Sequence, residues 1–76
     1  MELKPHDHPK GFFDRLMADG YSGQVTLRLR GATELTGTVG ETGNESVIIK
    51  GLAGRDFFDA YVRYDSITCV EVQTRS

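Results

Sequence analysis

VTLRLRGATELTGTV, Val25 to Val39, alternates apolar and polar residues on both sides of a Gly31-Ala32 pair and keeps a glycine, Gly37, inside its second half. A period of two marks a half-buried strand, and two such runs around a turn read as a β-hairpin with one wet face. Val25, Leu27 and Leu29, then Leu35, Gly37 and Val39, share the inward face, while Gln24, Thr26, Arg28 and Arg30 point the other way. Where a short sheet bends sharply, an inward glycine removes the side chain that would collide, so Gly37 predicts strong curvature.

The rest of the chain extends this pattern. ETGNE is a second turn, and SVIIK is a short strand whose consecutive Val47, Ile48 and Ile49 predict burial on both faces. After the glycine-bounded GLAGR loop, DFFDAYVRY predicts a strand from about Phe57 to Tyr64. Phe58, Ala60, Val62 and Tyr64 lie on one side of it, and Phe57, Asp59, Tyr61 and Arg63 on the other. A brief DS turn leads to a last strand, Ile67 to Val72. Five strands of this length are too few for a two-layer sandwich, but they can bend into a small barrel.

Upstream, HPKGFFDRLMADGYSG predicts a helix over about 9–19. Pro9 fits its first position, Asp7 faces the positive end of the dipole, and Gly20 fits the stop. Phe12, Phe13, Leu16 and Met17 form an apolar stripe, with Lys10, Asp14, Arg15 and Asp19 turned away. The expected class is therefore mostly β: a short N-terminal α-helix covering one end of a strongly bent, five-stranded antiparallel small barrel. Residues 1–8 read as a flexible N-terminal segment, 9–76 as a single domain, and about 23–73 as the barrel.

Composition narrows the function. A 76-residue chain buries only about 60% of the surface exposed by its unfolded form, so its core alone is marginal. One cysteine excludes a disulfide framework, which leaves oligomerisation as the expected source of extra stability. The formal charge of -2 lacks the basic excess behind non-specific nucleic-acid affinity. With no apolar stretch of signal-peptide or membrane-spanning length, the chain reads as cytoplasmic, with a reduced thiol.

Catalytic and metal signatures are weak. His6-Asp7-His8 supplies at most part of a metal site. Cys69 lacks a neighbouring His or cation and sits in a strand, as a small core or interface residue does. Ser46, Ser66 and the scattered carboxylates form no recognisable triad or acid-base pair. No enzyme activity, metal or cofactor is expected.

Taken together, VTLRLRGATELTGTV, GFFDRL before it, SVIIK after it and YVRYDSITCVEV near the end resemble the Sm-like superfamily, which includes LSm proteins and bacterial Hfq. The first stretch matches the first Sm motif, GFFDRL the Hfq amino-terminal helix, and YVRYDSITCVEV the position of the second motif. The resemblance covers nearly the whole chain. It implies a homo-oligomeric ring of about five to seven subunits, in which the fourth strand of one copy pairs with the fifth of the next and satisfies both open edges. Phe57, Tyr61, Val62, Cys69 and Val70 are the interface candidates.

The same resemblance implies single-stranded RNA as a partner. Around the pore the candidates are Asn44, Arg63 and Tyr64. On the opposite side of the ring they are Arg28 and Arg30, whose guanidinium planes can stack on bases. Where Hfq carries a stacking aromatic and a lysine-histidine pair, this chain has Glu45 and then Tyr64-Asp65. The alternative function is a ring retained as a scaffold for a protein partner, using the Phe57–Tyr61 face.

Overall fold

The computed structural model describes residues 1–75 and places the hairpin at the centre of the sheet. Strand β1 (Gln24–Leu29) pairs antiparallel with β2 (Glu34–Thr42), with Val25 opposite Gly37 and Leu27 opposite Leu35. The turn takes both Gly31 and Ala32 through positive φ, 82° and 67°. Two positive-φ residues give the backbone a twist that suits a tight hairpin.

Gly37 lies on the buried face as expected. A Cβ there would stand 2.6 Å from the Lys50 carbonyl oxygen and 2.7 Å from Ile49 Cγ2. The carbonyl belongs to the backbone of β3 (Ser46–Lys50) and cannot rotate away. Glycine is what allows β2 to approach β3 this closely.

Beyond β3 come β4 (Ala60–Arg63), a single 3-10 turn (Tyr64–Ser66) and β5 (Ile67–Val72). The sheet order is β4-β3-β2-β1-β5. β4 and β5 are therefore its two edges; the sheet does not close into a barrel within one chain. Two register irregularities, between Val39 and Thr42 on β2 and between Arg28 and Leu29 where β1 meets β5, add local twist. Ala60 on one edge and Ile67, Val70 and Val72 on the other all pack against one core. That core comprises Phe13, Leu16, Val25, Leu27, Val47, Ile49, Leu52, Val62 and Tyr64. Ile48, expected to be buried, faces outward and is half-buried.

Helix α1 spans Pro9–Ala18. Its N-cap is His8, whose Nδ1 accepts from the Lys10 amide at 3.1 Å, and Asp7 precedes the cap. The Gly20 and Tyr21 amides return to Met17 and Leu16 carbonyls at 3.0 Å, a Schellman closure. Phe13 and Leu16 are buried, but Met17 is 42% exposed and leaves the predicted stripe. Asp14, expected to face solvent, instead accepts from Lys10 Nζ at 2.7 Å and from the Thr42 hydroxyl at 2.5 Å. The helix is thereby tied to the irregular end of β2.

The largest departure from the sequence pattern lies before β4. Phe57 and Phe58 do not belong to a strand: Gly51–Asp59 is a self-bonded loop. Leu52 is buried beneath it, and the Ala53 amide donates to the Thr36 carbonyl at 2.9 Å. Leu52 and Phe58 amides donate to Phe58 and Arg55 carbonyls, and Asp59 Oδ1 accepts from the Gly51 amide at 3.0 Å. Phe57 has φ +70°, which breaks the alternation and leaves both phenylalanines on the surface.

Candidate functional site

The outer face of the hairpin carries a charged cross-strand cluster. Arg28 stands opposite Glu34 on β2 and Cys69 on β5. Its guanidinium reaches Glu34 at 2.8 Å and Glu71 at 3.1 Å, with all three side chains about half exposed. The hydrogen bond to Glu71, reinforced by the charges of both carboxylates, raises the Arg28 pKa above its ordinary value. Two carboxylates around one guanidinium leave the patch negative, so Arg28 is not a free cation for phosphate. Beside it, the hydroxyls of Thr26 and Thr36 share a hydrogen bond at 2.9 Å.

Arg30 differs. It lies just past β1, with its amide donating to the Ser66 carbonyl at 2.9 Å. Its side chain is exposed and, among the described residues, enters no ion pair. The sequence groups Arg28 and Arg30 as one basic band; the structure leaves only Arg30 uncompensated.

Asn44, Arg63 and Tyr64 do come together, at the other end of β2 from that pair. Asn44 and Glu45 occupy the exposed turn before β3. The Tyr64 amide donates to the Glu45 carbonyl at 2.9 Å, and Arg63 reaches Asp65 at 3.4 Å and Glu45 at 3.8 Å. The hydrogen bond to Asp65, then the nearby carboxylate charges, raise the Arg63 pKa. Tyr64 itself is 5% exposed. Its ring stacks on Phe13 at 6.1 Å and meets His8 edge-on at 5.4 Å, while its hydroxyl donates to the Gly43 carbonyl at 2.8 Å. Burial pushes its phenol pKa up. The ring belongs to the core and offers no face to a base.

The interface candidates sort by edge. Phe57 and Tyr61 are exposed in and beside β4, and Cys69 is exposed on β5. Val62 is buried in its own core, so its side chain does not stand free for a neighbour, whereas Val70 is half-buried and keeps part of its surface accessible. Both edges carry backbone N-H and C=O groups with no strand beside them.

Three contributors have little or no signal in the sequence pattern. Glu34 is legible in retrospect, because a hairpin centred on Gly31 pairs residues equidistant from it. Glu71 arrives only through the β1–β5 pairing and has no local signal. The third is a groove of about 460 Å³ between the N-terminal segment, α1 and β5, with Leu3, Pro5, Phe12, Ile67 and Val70 among its walls.

Among the described residues no group of three or more His, Cys, Asp or Glu is arranged to hold a metal. No helix is long and apolar enough to cross a membrane. Comparison with family models, curated proteins and solved structures returns no match to this chain.

Proposed function

We propose that the chain is an Sm-like subunit that associates head to tail through β4 and β5 into a closed ring of about five to seven copies, and that the ring serves as a scaffold for a protein partner. The observation that carries this reading is the sheet order, which leaves β4 and β5 as two unpaired edges on a chain of 76 residues. Pairing them between copies satisfies both sets of backbone groups and adds the burial that so small a core lacks. The strongly bent barrel belongs to the same proposal, with Gly37 and the two strand irregularities as its sources of curvature. A scaffold is favoured over nucleic-acid handling because Arg28 and Arg63 are each held by two carboxylates.

Native mass spectrometry and light scattering over a micromolar dilution series test the assembly. A single closed stoichiometry is expected, and a monomer throughout would overturn it. Capture of a protein partner that survives nuclease treatment is expected for the scaffold.

The exposed, unpaired Arg30 favours a second reading, contact with single-stranded RNA on the outer face. Repeated around a ring, that guanidinium would form a band of positive charge. Oligo-A or oligo-U binding that weakens steeply with salt, and is lost with Arg30→Ala, would establish this reading over the first.

A further inference from the structure

Resting on that self-association, we infer that the loop Asp56-Phe57-Phe58-Asp59 of one copy is a docking knob that seats in the groove beside β5 of the next copy. The loop is built to stand out. Phe57 is 103% and Phe58 57% exposed, although aromatic rings of this size normally supply core or interface area. Phe57 is held at φ +70°, a backbone conformation that bulky residues rarely adopt. Hydrogen bonds from the amides of Leu52, Arg55 and Phe58 to carbonyls within the same trio, and from the Gly51 amide to the Asp59 carboxylate, set its shape. Buried Leu52 anchors it. Backbone strain of this kind clusters at active sites, ligand clamps and switch regions.

The groove has the complementary chemistry. Leu3, Pro5, Phe12, Ile67 and Val70 give it an apolar lining, and its volume of about 460 Å³, open to solvent, is within the size range of small-molecule sites. No carboxylate lines it; its ionisable groups include Lys4, His6 and His8. Phe57 and Phe58 are flanked on both sides by aspartate. Lys4 at the edge of the groove is already paired with Glu2 at 3.4 Å, so the match lies in the apolar lining and in the absence of any lining carboxylate that would repel Asp56 and Asp59. Knob and groove occupy different surfaces of the same chain, so the contact is heterologous and propagates from copy to copy until the rotation closes. The contact is distinct from strand pairing between β4 and β5 and would fix the angle at which those edges meet.

The test compares the wild-type chain with a Phe57→Ser/Phe58→Ser double variant by native mass spectrometry over a dilution series. Circular dichroism checks that the variant is folded, which is expected because neither side chain lies in the core. At least a tenfold rise in the concentration needed for assembly is expected. A second arm oxidises an Asp56→Cys variant, in which an intermolecular disulfide between the introduced thiol and Cys69, a groove-lining residue, is expected by peptide mapping. If the double variant assembles like wild type, the knob is wrong and the ring stands. If the introduced thiols link only to one another, the groove is not the receptor. A wild-type chain that stays monomeric overturns the ring proposal and the knob with it.

Discussion

The Thr42 hydroxyl donates to Asp14 Oδ1 at 2.5 Å, and the other oxygen of the same carboxylate accepts from Lys10 Nζ at 2.7 Å. One half-buried aspartate thus joins α1 to the irregular end of β2. The hydrogen bonds from Lys10 and then Thr42 hold its carboxyl below the ordinary aspartate value, and Asp14 in turn raises Lys10. A depressed carboxyl stabilises the fold above its unfolded pKa, and that contribution is lost as pH falls through the folded value. Stability should therefore decline on acidification from about pH 4 downward. Asp14→Asn should lower stability at pH 7 and flatten that decline, as read by thermal unfolding at a series of pH values. Thr42→Val should have a smaller effect in the same direction.

Gly37→Ala should be disproportionately damaging for the addition of one methyl group. The new Cβ meets a backbone carbonyl that cannot move independently of β3, so the expected loss is about 1–3 kcal/mol. For a domain of this size, each kcal/mol corresponds to a fall in Tm of roughly 4–8 °C. Thermal denaturation of the variant measures it, and an unchanged Tm would mean that β2 and β3 can separate without cost.

Arg28 and Arg30 should behave differently toward RNA. If oligonucleotide binding is detected, Arg30→Ala should weaken it and reduce the salt slope by about one, whereas Arg28→Ala should change it little. Glu71→Gln should have the reverse effect, strengthening binding by freeing the Arg28 guanidinium from one carboxylate. Fluorescence anisotropy with labelled oligo-A over a salt series separates these outcomes.

Tyr64→Phe should keep the stack on Phe13 and lose only the hydroxyl bond to the Gly43 carbonyl, at a cost of about 1 kcal/mol. Tyr64→Ala should cost about 3–5 kcal/mol, comparable with other large core truncations. Oligonucleotide affinity of the folded Tyr64→Phe variant should equal that of wild type. Urea denaturation gives the first two quantities and anisotropy the third.

The local pattern carried much of the architecture. Alternation around Gly31 determines the central hairpin and assigns Val25, Leu27 and Gly37 to the inner face, because side chains on a strand alternate with a period of two. The spacing of Phe13 and Leu16 places a helix against that face. The same periodicity misleads at Phe57 and Phe58, where alternation continues in sequence while the backbone turns through a positive φ. Burial of Leu52 and the hydrogen bonds from Gly51 to Asp59 decide that segment, and neither leaves a periodic trace.

The candidate site was less legible, because charge partners are set by which strands become neighbours. Arg28 and Glu34 are related by the turn between them, but Arg28 and Glu71 lie 43 residues apart and meet only across β1 and β5. Tyr64 is an accessible aromatic in the linear chain and a core residue once Phe13, His8 and Gly43 surround it. By itself the sequence determined the helix, the central hairpin and its inward face, since these follow from near-neighbour geometry. Tertiary structure alone decided that Arg28 is paired while Arg30 is not, that the Gly51–Asp59 loop replaces half of a strand, and that both edges remain open, since each depends on contacts between distant segments.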